Sequence, residues 1–260
     1  MPLFITGLNI MIRLFLRRVY KNKIYWLAVL SAFVLLLCSV IYTEPTTGES
    51  FTYLSLFYNE DMQSRMTYGA ISLKGIFLGY NLNNYLWMFA PIIVGVPCVL
   101  NQRTERFVLF RGSKNRYFLS KYVSNLVLGG TILVLAQVIF ILTGTVLVQY
   151  LTVIKQLDIT PEPFWDSYMA QCLWDIFCDG VVYTIPGILL AEFIRNKYLI
   201  LCIPFVWSYF VNMFLMSWIP LEIRQMILPE ENPIMFAVVL VACGIFIKAV
   251  AERRCDCGQK

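Results

Sequence analysis

Histidine is absent from the 260 residues of this chain. Without an imidazole there can be no Ser-His-Asp or Cys-His nucleophile pair and no His-based proton relay. Histidine-ligated zinc and histidine-held haem are excluded as well. Intramembrane metalloproteases and rhomboid-type serine proteases need the same side chain, so the sequence predicts no catalytic residue and no enzyme of these classes.

Charge is also scarce, since only 14% of the residues are charged while 59% are hydrophobic. A soluble globular protein is about one quarter charged and nearer one half apolar. Mean hydropathy is +0.68, so apolar surface must remain after core packing, and lipid is the solvent that suits it. This composition excludes a soluble enzyme, a disordered chain and a nucleic-acid-binding module.

A phosphate-binding loop of the form Gly-x-x-x-x-Gly-Lys-Ser/Thr is missing. The chain therefore cannot hydrolyse ATP by that route, and we expect it to bind no cofactor of its own.

Eight cysteines do not form the pattern of a disulfide scaffold. Four of them lie inside apolar runs, where cysteine behaves as a small hydrophobe; these are Cys38, Cys98, Cys202 and Cys243. Cys255 and Cys257 form a Cys-x-Cys pair, which is open to two interpretations, a metal-binding pair or a solvated tail.

Six stretches are long and apolar enough for a membrane-spanning helix, which needs about 20 residues. They are 24–42, 82–100, 122–150, 173–193, 198–219 and 234–250. The first is too long for a signal-peptide core and has no clean cleavage site, so we interpret it as a retained span. The predicted fold class is all-α: a polytopic membrane protein with six transmembrane helices in one domain, 1–260.

Basic residues divide unequally between the two sides of this arrangement. With a cytoplasmic N-terminus, all 21 Lys and Arg lie on the inner side except Arg65, Lys74, Lys155 and Arg224. The 16 acidic residues lie on the outer side except Glu105, Glu192, Glu252 and Asp256. By the positive-inside rule both termini are predicted to be cytoplasmic. The expected location is the plasma (inner) membrane of a bacterium. The net charge of +5 needs no nucleic-acid partner.

Two segments outside the spans keep open interpretations. Residues 4–21 have helical periodicity with one apolar and one basic face, which is typical of an interfacial amphipathic helix or of a simple juxtamembrane anchor. The outer loop 43–81 carries an aromatic cluster that either contacts substrate or caps the outer ends of the spans.

The inner segment 101–116 holds an apolar run, Phe107 to Phe110, flanked by arginines and followed by Gly112. A short helix with such a ridge could enter the groove of a soluble partner. The alternative is a topology-fixing loop that contacts anionic lipid, although such a loop has no use for four consecutive apolar residues.

The residue types of this segment follow one another in a fixed order: an acid, the apolar run, Arg-Gly-Ser and a basic residue, an aromatic, then Ser-Lys before a long span. This order resembles that of ATP-binding-cassette (ABC) exporter permeases of the type-two class. The six-span layout and the basic N-terminal helix are similar too. The resemblance implies a coupling helix that docks on a separate ATPase subunit which binds the ATP. It also implies a second permease copy or paralogue as partner. The implied ATPase-coupling residues are Glu105, Arg106, Phe107, Phe110, Arg111, Gly112 and Lys114.

Polar residues near or within the spans give weaker indications. Asp175 and Asp179, spaced i, i+4 near the outer end of the fourth span, either line a solute path or reach water. Glu192 is predicted to pair with Arg195, three residues on.

Four amides could line an inter-subunit path or form hydrogen bonds between helices: Asn125, Gln137, Gln149 and Asn212. Gly129 and Gly130 permit close helix packing.

The function expected from these observations is that of a membrane permease subunit of an ABC exporter. The alternatives are an ATP-independent secondary transporter or channel, and a structural or sensory multi-pass protein. A secondary transporter favours charged residues at mid-membrane and an internal repeat, and the sequence shows neither.

Overall fold

The computed structural model describes residues 2–43, 50–60, 85–102, 114–153, 167–194, 196–210 and 233–257, and within these ranges it is mostly helical. The helices are α1 (Pro2–Tyr20), α2 (Lys23–Leu37), α3 (Ser55–Tyr58), α4 (Tyr85–Val94), α5 (Val96–Gln102), α6 (Lys114–Val153), α7 (Ser167–Phe193), α8 (Lys197–Phe210) and α9 (Pro233–Cys257). The strands are β1 (Val40–Thr43) and β2 (Ser50–Thr52).

Two helices of the described ranges are long and apolar enough to cross a membrane, Asn115–Val153 within α6 and Met169–Phe193 within α7. A third crossing results if Ile10–Tyr20 and Lys23–Leu37, bent by 67°, act as one span. Shorter apolar segments occupy the other predicted spans: Met88–Asn101, Lys197–Tyr209 and Phe236–Val250. Two or three crossings are thus compatible with a membrane protein, and the full set of six stays a prediction.

The first predicted span differs from the structure at its outer end. α2 stops at Leu37, five residues before the predicted boundary, and β1 begins at Val40. Val40, Ile41, Tyr42 and Thr43 are β-branched or aromatic, so they favour an extended chain, and β1 pairs antiparallel with β2. The prediction of an all-α chain was therefore wrong in this detail, because a two-stranded ladder follows α2.

α6 is the central helix and packs against α1, α2, α4, α5 and α7. Its closest neighbour is α7. A Cβ added to Gly180 would lie 2.8 Å from the Cα of Gly130, and one added to Gly130 would lie 2.5 Å from the ring of Phe177. A Cβ on Gly129 would collide with the hydroxyl of Thr184. The two backbones touch here because these positions lack side chains, which confirms the packing role predicted for Gly129 and Gly130.

The apolar face predicted for residues 4–21 is partly used inside the protein. Phe15 and Val19 are buried, and the Phe15 ring lies 5.9 Å from that of Tyr117 in α6. At the bend between α1 and α2, the hydroxyl groups of Tyr20 and Tyr25 lie 3.3 and 2.9 Å from Thr131 Oγ1. The C-terminal half of α1 is thus fixed on α6, while an interfacial position for the helix stays a prediction.

Outside the core, large apolar side chains are exposed on several helices. On α2 the buried positions form one face, and the opposite face exposes Leu27 and Leu30. Residues 236–247 of α9 are apolar on every face. α9 contacts α6 and α7 only lightly, with Ile247 buried and Gly244 against the ring of Tyr122. Helices that are apolar on both faces are typical of a lipid environment.

Candidate functional site

A layer of polar side chains lies buried at one end of the bundle. It combines the last turn of α5, the first turns of α6 and the last turn of α7. Its members from α5 and α6 are each at most 1% exposed: Asn101, Ser120, Lys121, Ser124 and Asn125. Glu192 of α7 completes it. Buried polar groups are costly unless they are paired, so their pairing decides what this layer does.

Lys121 and Glu192 form an ion pair across this layer. Lys121 Nζ donates to Glu192 Oε1 at 2.7 Å, and the side chains are 2% and 15% exposed. The predicted partner of Glu192 was Arg195, which lies outside the described residues. The observed partner comes from another helix, 71 residues earlier, so sequence spacing within α7 could not identify it. The pair joins the start of α6 to the end of α7.

Asn101 and Asn125 form the second contact of the layer. Asn101 Nδ2 donates to Asn125 Oδ1 at 2.5 Å, and both residues are fully buried. This bond joins α5 to α6, which confirms for Asn125 one of its two predicted roles, hydrogen bonding between helices. The hydroxyls of Ser120 and Ser124 bond instead to carbonyls of their own helix, those of Arg116 and Ser120.

Sequence reasoning missed Lys121 and Asn101 as members of a site. A signal was present, because Ser120, Lys121, Ser124 and Asn125 repeat a polar pair at i, i+1, i+4 and i+5 at the start of an otherwise apolar helix. This spacing places all four on one face. The pattern does not reveal the partners, which belong to other helices.

The polar layer lies at both ends of the predicted coupling segment, 101–116. Asn101 is the first residue of that segment, and Lys121 lies five residues after its last. Within it, positions 103–113 lie outside the described residues. The predicted coupling residues Glu105, Arg106, Phe107, Phe110, Arg111 and Gly112 lie outside the described residues. Lys114 is the first residue of α6.

The two carboxylates predicted for a solute path are placed elsewhere. Asp175 and Asp179 lie on α7 and are both partly buried. From Asp179 to Glu192 the helix rises by about 20 Å, so the structure does not bring them into the polar layer. Beside them, the Trp174 ring stacks on Phe177 with centroids 5.9 Å apart. A role in a solute path stays a prediction.

The other end of the bundle is closed by the segment after β2. Tyr53 is fully buried, with its ring 4.8 Å from that of Phe140 in α6. Burial raises the pKa of the Tyr53 phenol above its ordinary value. Of the two interpretations for the aromatic cluster in 43–81, this contact favours a cap on the helix ends.

The described residues contain no cluster of three or more His, Cys, Asp or Glu side chains that could hold a metal ion. Six cysteines in those ranges are free thiols: Cys38, Cys98, Cys172, Cys178, Cys202 and Cys243. Cys255 and Cys257 lie in the last turn of α9. Their side chains are not among those that the structure describes.

The geometry of the polar layer therefore suits a mechanical role, because its contacts hold α5, α6 and α7 in a fixed relation.

Comparison with known proteins finds no family model, no curated protein and no solved structure that matches the chain.

Proposed function

We propose that this protein is the membrane-spanning permease subunit of an ATP-driven ABC exporter, in which a separate ATPase subunit binds and hydrolyses ATP. The observation that carries the proposal is the buried polar layer, which ties together the helices at both ends of segment 103–113. Asn101 and Asn125 join α5 to α6, and Lys121 and Glu192 join α6 to α7.

Such a layer suits the transmission of force from a soluble partner. A force on segment 103–113 acts on the ends of α5 and α6, which are hydrogen bonded to each other. The Lys121–Glu192 ion pair transmits that force to α7. Hydrogen bonds and ion pairs are directional, and breaking one partner of a buried pair is costly, so the three helix ends move as a unit. A loop that served topology alone would need no buried connection between its two ends.

The proposed orientation places the polar layer on the cytoplasmic side, with both termini cytoplasmic, α1 in the inner interface and six spans in the plasma membrane. Dimensions along α6 support this placement. From Lys121 to Phe140, which Tyr53 covers, the helix rises by about 28 Å. The hydrocarbon core of a bilayer is about 30 Å thick. The polar layer and the aromatic cap thus have the spacing of the two membrane surfaces.

In this proposal the ATPase contacts are made by Glu105, Arg106, Phe107, Phe110, Arg111, Gly112 and Lys114. A second permease copy or paralogue completes the path, and Asp175 and Asp179 face the solute. The charge of the inner side and the apolar run between arginines are the features that favour an ATPase as the occupant.

The test is affinity purification of the full chain with identification of bound proteins. An ABC ATPase is expected with the wild-type chain and is expected to be lost in the double variant Arg106→Glu/Arg111→Glu. The matched control, Arg13→Glu/Arg17→Glu, reverses the same charge on α1 and should retain the ATPase. Membrane insertion of each variant is measured by its detergent-extracted yield.

Unchanged ATPase recovery with the Arg106→Glu/Arg111→Glu variant would contradict the coupling role of this segment. A wild-type chain that recovers no ATPase would instead favour the ATP-independent alternative, a secondary transporter or a structural protein.

A further inference from the structure

A cavity of about 160 Å³ lies between the α1–α2 bend, α5 and α8. Two basic side chains line it, Arg18 from the last turn of α1 and Lys197 from the start of α8. Apolar side chains complete its wall, among them Ile24, Val99 and Leu201. The cavity therefore combines two cations with an apolar floor, and three separate parts of the fold build it.

The cations of this cavity are available for a ligand. Within the described ranges, the ion pairs are Lys121–Glu192 and Lys248–Glu252, and neither involves Arg18 or Lys197. Both side chains are exposed, and no acidic residue of the described part of the chain lines the cavity. Both cations line the same cavity, so their attractions for a bound anion add.

Two helix starts add to the positive potential. α2 begins after Asn22, whose side-chain oxygen accepts from Ile24 N at 2.9 Å, and both residues line the cavity. α8 begins at Lys197 after Asn196, whose oxygen accepts from Tyr198 N at 3.0 Å. The N-terminal end of a helix favours negative charge. The Asn22 amide also keeps its NH₂ group as a donor.

The apolar part of the wall selects among anions. A free inorganic anion gains nothing from Val96, Val99 and Leu100, and it would lose water on that side. A lipid phosphate uses both halves, since its charge meets Arg18 and Lys197 while its glycerol and first methylenes meet the apolar wall. On α2, exposed Leu27 follows Ile24 by one turn and extends the apolar surface beyond the cavity.

We propose that this cavity binds the phosphate of an anionic phospholipid, at the end of the bundle where the basic residues concentrate. Basic pockets between membrane helices on that side bind anionic headgroups in general. The bound lipid connects α1, α2, α5 and α8, so it fixes the bend between α1 and α2. The proposal is independent of any ATPase and depends on lipid binding alone.

The experiment measures thermal unfolding of the purified full chain in detergent, titrated with phosphatidylglycerol, phosphatidylcholine or inorganic phosphate at constant ionic strength. Phosphatidylglycerol is expected to raise the unfolding temperature of the wild-type chain, with little effect of the other two. The variant Arg18→Gln/Lys197→Gln should bind phosphatidylglycerol about 30-fold more weakly, because it loses two direct contacts between a cation and the phosphate, which the control residues do not make.

The matched control is Arg13→Gln/Arg17→Gln, which removes the same charge from exposed positions of α1 outside the cavity. It should keep the wild-type affinity within about threefold. If the cavity variant does not fold, as judged by gel filtration, Arg18→Gln alone gives the same test with about fivefold weakening.

Three results would overturn the proposal. Equal stabilisation by phosphatidylcholine would show that the site does not distinguish lipids by charge. Equal stabilisation by inorganic phosphate would assign the site to a free anion. An equal loss of affinity in the cavity variant and the α1 control would show only a general attraction of the basic surface for anionic lipid.

Discussion

Replacing Lys121 by Met should destabilise the protein far more than its single charge suggests. The change leaves the Glu192 carboxylate, which is 15% exposed, without the ammonium 2.7 Å away. Removing one partner of a buried pair costs about 3–5 kcal/mol, and the partial exposure of Glu192 favours the lower end, about 3 kcal/mol. For a chain of this size that corresponds to a fall in Tm of about 6–12 °C.

A second ion pair of the same chain supplies the control. Lys248 and Glu252 lie 3.6 Å apart on the surface of α9 and are 39% and 60% exposed. Exposed i, i+4 pairs contribute about 0.3–0.5 kcal/mol, so Lys248→Met should lower Tm by no more than about 2 °C. The double variant Lys121→Met/Glu192→Leu should recover most of the stability, because it leaves no unpaired charge.

The assay is thermal unfolding in detergent, followed by intrinsic fluorescence for wild type and the variants. The reasoning would be refuted if Lys121→Met and Lys248→Met lowered Tm equally. It would also be refuted if the double variant were as unstable as the sum of its single changes, since the charge pair would then not be the source of the loss.

Three further predictions follow from other parts of the fold. Gly130→Leu should prevent the α6–α7 contact and lower the folded yield on gel filtration, because its Cβ would lie 2.5 Å from the Phe177 ring. The control Gly187→Ala should be tolerated, because the nearest atom to its Cβ is 3.5 Å away. Equal folded yields of the two variants would contradict the packing argument. Burial raises the pKa of Tyr53 above its ordinary value of 10.0, so the folded state keeps the phenol protonated. The folded protein therefore loses stability as the pH rises from that value towards the raised pKa. Tyr53→Phe should flatten this fall in alkaline unfolding titrations, and an unchanged dependence of stability on pH would contradict the role of Tyr53. A single cysteine at Phe110 in a background free of native cysteines should react with a membrane-permeant maleimide and resist an impermeant one added outside, whereas outside labelling would reverse the proposed orientation.

Periodicity and hydropathy predicted the helical class and the position of the long third and fourth spans, because a continuous apolar run of about 20 residues or more satisfies its own backbone hydrogen bonds in lipid as a helix. The small residues Gly129 and Gly130 indicated a close helix crossing, because residues without large side chains let two helix backbones approach each other. The end of α2 was mispredicted, since Val40 to Thr43 is as apolar as the helix before it. Only its β-branched content and its pairing with Ser50–Thr52 distinguish it.

The candidate site was less accessible to sequence reasoning. The sequence indicates that Glu192 is a paired acid, but it shows its partner Lys121 only as one of the positive charges of the inner side. It indicates that Asn125 can form a hydrogen bond between helices, but it gives no such indication for Asn101. Tertiary partners 24 and 71 residues apart in sequence have no local signature. They follow from which helix faces meet, which one sequence does not specify.

The crossing at Gly130 and Gly180 sets a ratio of lever arms. Along α6, Lys121 lies about 13 Å from this crossing, and Val153 lies about 35 Å from it on the other side. A rigid rotation of α6 about the crossing, as a fulcrum, would carry the far end about two and a half times as far as the near end. Spin labels at the exposed positions Leu119 and Val153 of α6, each paired with one on α8, would show unequal distance changes. A displacement of about 2 Å imposed at Lys121 would then become roughly 5 Å at Val153.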